Sequence, residues 1–152
     1  PVYRQMQDHL STKQSHYLKF LSFLRKNTDA PYHVKETVWQ SSLTSALFYS
    51  CETWLCTDLR PAEVPYMASL KQMLGLRITT CNDLALLEAG VPSARCSIEA
   101  RQRRYIERLT SRPDFATSYI GLALDESQRV GSPMGRRIAK LCTSTNSGLS
   151  IL

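Results

Sequence analysis

Helical spacing of the apolar residues is the feature that most limits the fold of this chain. Val64, Met67, Leu70 and Leu74 lie three or four positions apart, and Gly75 follows where helices commonly end. Similar segments recur along the sequence and are separated by Pro, Gly, Asn or Asp. The pattern predicts an all-α fold, an irregular bundle of about five to seven helices. The segments cover about residues 2–26, 32–56, 58–75, 83–89, 93–112, 114–128 and 134–142.

Length and composition are those of an ordinary globular chain. The 152 residues suit one domain, and 43% are hydrophobic and 21% charged. We predict a single helical domain over residues 1–142 and a disordered tail over 143–152, which is rich in Ser and Thr. No apolar run reaches the ~18 residues of a membrane-spanning helix, and the first ten residues do not resemble a signal peptide. We therefore expect an intracellular protein, nuclear or cytoplasmic and not secreted. Because the chain begins with Pro1 rather than Met, we expect a fragment.

The cysteines do not have the spacing of a metal site. No two of them form a C-x-x-C pair, and the three histidines lie far from them in sequence. We expect reduced thiols and no bound metal. The cysteines are Cys51, Cys56, Cys81, Cys96 and Cys142.

No catalytic motif is recognisable in the sequence. Polymerases need clustered carboxylates to hold two metal ions, and Asp125 and Glu126 form the only adjacent acidic pair. Adjacent residues on a helix point about 100° apart, so this pair is interpreted as surface charge. A phosphate-binding glycine loop, a zinc-protease motif and a hydrolase nucleophile elbow are also absent. The sequence predicts a chain without catalytic residues or cofactor.

Positive charge is concentrated in the C-terminal part of the sequence. Residues 1–94 hold 9 Lys and Arg against 8 Asp and Glu, whereas residues 95–152 hold 10 against 5. The net charges are +1 and +5, and nine of the ten cations in the second part are arginines. Arginine-rich surfaces suit phosphate groups, although a solvated helix face has the same composition.

Three stripes run along the predicted fifth helix. Ile98, Gln102, Tyr105 and Leu109 form the stripe that we expect to dock on the rest of the domain. A second stripe, Glu99, Arg103 and Glu107, has the spacing of surface ion pairs. The third carries four guanidinium groups, which we predict to bind phosphates together with cations of the last helix; pairing with acids elsewhere is the alternative. The predicted phosphate-binding residues are Arg101, Arg104, Arg108, Arg112, Arg136, Arg137 and Lys140.

Several short motifs between Phe20 and Leu109 resemble the region downstream of the palm in non-LTR (LINE-type) retrotransposon reverse transcriptases. The most specific is Tyr-x-Cys-Glu-x-Trp, and the other motifs, which lie before and after it, occur in the family's order. Ser50 stands where the family usually has Gly, a residue that we expect to permit close helix packing. The signature residues are Tyr49, Cys51, Glu52, Trp54, Leu74, Gly75, Arg77, Asn82, Asp83, Glu88, Gly90 and Pro92.

The resemblance implies a thumb or connector domain that holds RNA or an RNA–DNA template–primer by its backbone, next to the polymerase palm. The parent protein would be an RNA-directed DNA polymerase that uses Mg²⁺, but the palm carboxylates are missing from this sequence. The expected partners are therefore nucleic acid and the missing palm domain of the parent polyprotein. Two alternatives remain: a helical protein–protein interaction module whose arginine face binds an acidic partner, and a decayed element copy with no function.

Overall fold

A computed structural model describes residues 2–55 and 58–146 of the chain. Within these ranges every regular element is helical, which confirms the all-α prediction. A π-helical stretch, Trp39–Thr44, joins α3 to α4 without a break, and 3₁₀ turns occupy Cys51–Thr53 and Phe115–Thr117. The α-helices are α1 (Val2–Thr12), α2 (Gln14–Lys26), α3 (Tyr32–Val38), α4 (Ser45–Leu47), α5 (Arg60–Met73), α6 (Asn82–Ala89), α7 (Ala94–Thr110), α8 (Tyr119–Arg129) and α9 (Pro133–Asn146).

The first predicted helix is two helices, α1 and α2, separated at Lys13. The Ser11 and Thr12 hydroxyls donate to the carbonyls of Asp8 and His9, three residues back. Such bonds compete with the helical hydrogen-bond ladder, and Lys13 leaves helical geometry at φ −90° and ψ 1°. We count α3, the π-helical stretch and α4 as one continuous helical rod. Residues 2–55 and 58–146 then contain eight helical rods, one more than the upper limit of the predicted five to seven.

Two compact units can be distinguished in the chain, and the single domain expected over residues 1–142 stays a prediction. Unit 1 comprises Tyr3–Tyr49 and Leu59–Ser97. Unit 2 comprises Ser50–Asp58 and Ile98–Leu152, of which the structure describes residues 50–55, 58 and 98–146. Helix α9 continues to Asn146, so the first four residues of the predicted tail are helical, while residues 147–152 lie outside the described part.

No helix in the described part of the chain is long and apolar enough to cross a membrane.

Aromatic side chains centre the core of unit 1. The ring of Tyr66 lies 4.9 Å from that of Trp39 and 5.5 Å from that of Phe48, measured between ring centroids. Trp39 is buried, and its indole N–H donates to the Ser69 hydroxyl at 2.8 Å. Burial with a satisfied indole N–H makes Trp39 a structural anchor of this unit. Leu43 and Leu47, one turn apart on the same rod, are also buried.

Ser50 lies three residues past the end of α4 and directly before the 3₁₀ turn Cys51–Thr53. Its backbone has φ 58° and ψ 20°, in the left-handed region. The three other positive-φ residues of the described chain are glycines. A side chain in this region costs roughly 1–2 kcal/mol, whereas glycine adopts it freely. Backbone conformation therefore favours glycine at this position. Close helix packing was the reason expected from the sequence for a glycine here.

We expect Ser50→Gly to raise the free energy of unfolding by roughly 0.5–1 kcal/mol, because relief of left-handed strain exceeds the added entropy of glycine in the unfolded chain. Chemical denaturation followed by circular dichroism measures the change. Ser22→Gly is the matched control, since Ser22 is exposed within α2 and glycine there lowers helix stability. Equal destabilisation by both substitutions would show that Ser50 is not strained.

Helices α8 and α9 pack closely in unit 2. Gly135 is buried, and a Cβ atom at this position would overlap the backbone carbonyl of Ser127. Glycine therefore permits the close approach of α9 to the end of α8. An apolar cluster of α7 and α9 forms beside this contact, with further side chains packed against it. The cluster consists of Ile106, Ile138 and Leu141, and the packed residues are Leu55, Leu124 and Met134.

Candidate nucleic-acid interface

The predicted docking stripe of α7 is buried. Ile98 and Gln102 have no exposed surface, Leu109 is almost fully buried and Tyr105 is half-buried, which confirms this face of the helix. Ile106 is also buried, so the docking face is wider than the predicted stripe.

Gln102 holds the Cys51–Thr53 turn against α7. Its side-chain amide donates to the carbonyl oxygens of Trp54 at 2.7 Å and Cys51 at 3.3 Å. Both bonds are buried, where a satisfied carbonyl avoids a large desolvation penalty. The Tyr-x-Cys-Glu-x-Trp motif is therefore positioned, over its Cys51 to Trp54 part, by one glutamine of α7. The sequence identified the glutamine only as a member of the docking stripe.

Arg137, which was predicted to bind phosphate, is buried. Its side chain is only 2% exposed, and its guanidinium lies 3.0 Å from a carboxylate oxygen of Glu99. The same guanidinium donates to the side-chain oxygen of Gln102 at 3.3 Å. Glu99 also pairs with Arg103 at 4.0 Å, as its spacing predicts. Arg137 is inaccessible to a phosphate and instead links α9 to α7.

Three predicted arginines line one groove of unit 2, about 500 Å³ in volume. Arg104 and Arg108 are exposed, and Arg101 is half-buried. Glu52 and Glu107, which were not predicted to be part of the site, also line the groove. It therefore contains three guanidinium groups and two carboxylates. We call this site the arginine groove; it is lined by Glu52, Arg101, Arg104, Glu107, Arg108 and Ser111.

Cys51 is adjacent in sequence to Glu52 of the arginine groove, and its thiol is unreactive. Burial raises the pKa of its thiol to about 11, the Glu52 carboxylate adds to that effect, and the Arg101 guanidinium partly opposes it. The thiol is therefore neutral at pH 7 and a poor nucleophile. Hydrogen bonding between Arg101 and this thiol ties the innermost arginine of the groove to the signature motif.

The remaining predicted cations lie apart from the groove. Arg112 is exposed but follows the end of α7 at Thr110, so it does not extend the helical stripe. Arg136 and Lys140 are exposed and one turn apart on α9. The structure thus brings together three of the seven predicted phosphate-binding residues, leaves three on other parts of unit 2 and buries one.

Net charge does not distinguish the two units. Unit 1 holds 10 Lys and Arg against 6 Asp and Glu, a net +4, and unit 2 holds 9 against 7, a net +2. The contrast seen in the linear sequence disappears because Glu52 and Asp58 belong to unit 2, whereas Arg95 belongs to unit 1 and pairs with Glu63 at 3.1 Å. The arginine groove, rather than net charge, is therefore the feature of unit 2 that suits phosphate groups.

The other signature residues serve mainly as helix ends and surface positions. Gly75 and Gly90 follow α5 and α6 in left-handed conformation, and the Pro92 carbonyl accepts the Tyr66 hydroxyl at 2.7 Å. Trp54 is buried and Leu74 is half-buried. Eight of the signature residues are exposed: Tyr49, Gly75, Arg77, Asn82, Asp83, Glu88, Gly90 and Pro92.

Metal ligands do not cluster in the described ranges, 2–55 and 58–146, where no three His, Cys, Asp or Glu side chains come together. Cys81, Cys96 and Cys142 are exposed free thiols, and Cys56 lies outside those ranges.

No protein-family model matches the chain, and no curated protein or solved structure is significantly similar to it.

Proposed function

We propose that this chain is a non-catalytic binding domain that contacts the phosphate backbone of RNA or an RNA–DNA hybrid through the arginine groove. The observation that carries the proposal is the placement of Arg101, Arg104 and Arg108 along one groove. Guanidinium groups bind phosphate oxygens through two parallel hydrogen bonds, and such contacts carry no direct sequence information.

The glutamates of the groove limit how it binds. Glu52 and Glu107 lower the formal charge of the six lining residues to +1. Long-range attraction is therefore weak, and a phosphate gains energy only when it lies directly against a guanidinium. Binding of this kind falls steeply with salt, because each neutralised phosphate releases condensed counterions.

The signature motifs supply the biological context of the proposal. We propose that the chain derives from the region past the palm of a LINE-type reverse transcriptase, whose RNA-directed DNA polymerase and Mg²⁺ ions belong to the parent protein. The support is the resemblance of the motifs between Phe20 and Leu109. The genomic sequence upstream of Pro1 tests this parentage: an open frame with a palm Tyr/Phe-x-Asp-Asp motif is expected, and a frame without one contradicts it.

The binding test uses the whole chain and an RNA–DNA hybrid. For three contacts, the slope of log K against log salt should be about −3. Arg104→Gln combined with Arg108→Gln should reduce its magnitude by about 2, with little dependence on nucleic-acid sequence. Fluorescence anisotropy at several salt concentrations measures both values. Gln keeps a helix propensity close to that of Arg, so lost binding does not simply report lost fold.

Arg4→Gln combined with Arg25→Gln is the matched control. These two arginines are exposed on α1 and α2 of unit 1, so the pair removes the same charge from a different surface. The control should leave the slope unchanged. A slope that falls equally in both double variants would mean general electrostatic attraction, and a slope unchanged in both would sink the groove proposal.

Recognition of an acidic protein is the second candidate function. Two carboxylates within the arginine groove match a partner that presents both charge signs, which a nucleic-acid backbone does not. A wild-type chain that fails to bind hybrid but is retained on an immobilised acidic peptide in which Lys residues are interspersed among Glu, with retention lost in the Arg104→Gln, Arg108→Gln variant, would favour this candidate.

A further inference from the structure

Ser111 lies at the end of the arginine stripe. It follows α7 directly and continues the spacing of Arg101, Arg104 and Arg108, at intervals of three, four and three residues. Its side chain is exposed and lines the arginine groove. The hydroxyl donates to the carbonyl of Glu107 at 2.5 Å, a local bond at the helix terminus that fraying of one turn releases.

The residues around Ser111 suit a kinase that selects basic substrates. Such kinases read an arginine three residues before the acceptor hydroxyl, and Arg108 occupies that position. Thr110, the neighbouring hydroxyl, has Glu107 there instead. The turn from Ser111 to Asp114 is exposed, so an enzyme has access to it.

Spacing alone does not single out Ser111. An arginine also precedes Thr28, Thr80 and Ser132 by three residues. Ser132 already accepts from the Gly135 backbone N–H at 3.0 Å and is bonded to the Ser127 hydroxyl. What distinguishes Ser111 is that its hydroxyl shares a groove with guanidinium groups, which are the preferred partners of a phosphate monoester.

We propose that Ser111 is a phosphorylation site, and that its phosphate binds back onto Arg104 and Arg108 and closes the arginine groove to nucleic acid. The regulatory part of this inference rests on the proposed function. In the reaction, the Ser111 oxygen attacks the terminal phosphorus of a nucleoside triphosphate supplied with a kinase. The new O–P bond forms as the bond between the terminal phosphorus and the nucleoside diphosphate breaks, the nucleoside diphosphate leaves, and the hydroxyl proton passes to a base of the kinase.

The net charge of the arginine groove predicts that phosphorylation weakens the binding of nucleic acid. The lining residues sum to +1, and a phosphoserine adds about −1.5 to −2, so the groove changes from positive to negative. Three phosphate oxygens would also occupy the guanidinium donors that nucleic acid needs. Glu52, Glu107 and the carboxyl end of α7 oppose the phosphate, so its capture depends on the arginines.

The experiment treats the whole chain with MgATP and a serine kinase selective for arginine at the third preceding position. Mass spectrometry should place phosphate on Ser111, and Ser111→Ala should lose that site. Phosphorus NMR then measures the second pKa of the phosphoserine. The pKa should be lower in the wild-type chain than in Arg104→Gln, a variant that keeps Arg108 for the kinase. Hybrid binding by the phosphorylated chain should change its salt slope from about −3 to about −1.

Each outcome decides one part of the inference. Phosphate on Thr28, Thr80 or Ser132 but not on Ser111 overturns the site. Equal phosphoserine pKa values in wild type and Arg104→Gln overturn the capture, because the arginine then has no effect on the phosphate. If the unmodified chain does not bind hybrid, the proposed function fails, while the mass and NMR results still decide the site and its capture. If the unmodified chain binds and phosphorylation leaves the slope unchanged, the regulation is wrong.

Discussion

Replacement of Arg137 by Met should lower the free energy of unfolding by about 3–5 kcal/mol, the usual effect of breaking a buried ion pair by removing one partner. Met fills much of the volume of Arg, so the change reports mainly the lost interactions. These are the 3.0 Å ion pair with Glu99 and the 3.3 Å hydrogen bond to Gln102. Because Glu99 keeps some solvent contact and Arg103 as a second partner, the lower end of the range is expected. Urea denaturation monitored by circular dichroism gives the value.

The neighbouring Arg136→Met is the matched control. Arg136 is exposed on the same helix, so its replacement should change stability by no more than ~0.5 kcal/mol. A second test combines Glu99→Leu with Arg137→Met, which removes both charges. The double variant should be more stable than Arg137→Met alone, since no unpaired carboxylate remains. A single variant as stable as the control would mean that Arg137 is not buried in solution.

Leu47→Ala should cost about 2–5 kcal/mol of stability, as a buried large-to-small change. Leu47 is 2% exposed and lies in unit 1 with Leu43 and Phe48. Its removal leaves a cavity beside side chains that are themselves fully buried, so the surroundings have little freedom to collapse. The shift of the denaturation midpoint measures the effect.

Leu87→Ala provides the comparison within the same unit. Leu87 is 79% exposed on α6, so the same chemical change should cost little. Similar midpoints for the two variants would place Leu47 on the surface and contradict the position of the rod that contains it.

Helix class and most helix ends were predictable because they depend on local chemistry. Gly75 ends α5 as expected: its own N–H and that of Leu76 bond back to Gln72 and Lys71 at 3.1 and 2.8 Å. The buried face of α7 was also predictable, since spacing along one helix determines which residues share a face. The break at Lys13 was missed because no proline or glycine marks it.

The Glu99–Arg103 pair was predictable from its spacing, but the partners of Arg137 were not, because they come from a distant segment. Arg137 and Arg136 are adjacent and chemically identical, yet one is buried and the other exposed. Only the packing of α9 against α7 in unit 2 decides which one meets Glu99. The composition of the arginine groove could not be predicted for the same reason. Glu52 is about fifty residues from Arg101 in sequence, and no spacing rule places the two residues together.

The order of segments in unit 2 constrains how the chain can be dissected. Its first nine residues, Ser50–Asp58, are inserted between the two stretches of unit 1. A cut at residue 97 would give a C-terminal peptide whose Gln102 amide has lost the Cys51 and Trp54 carbonyls. Production of unit 2 by itself therefore needs a circular permutation or a grafted 50–58 segment, because no single contiguous stretch of the chain contains unit 2 alone.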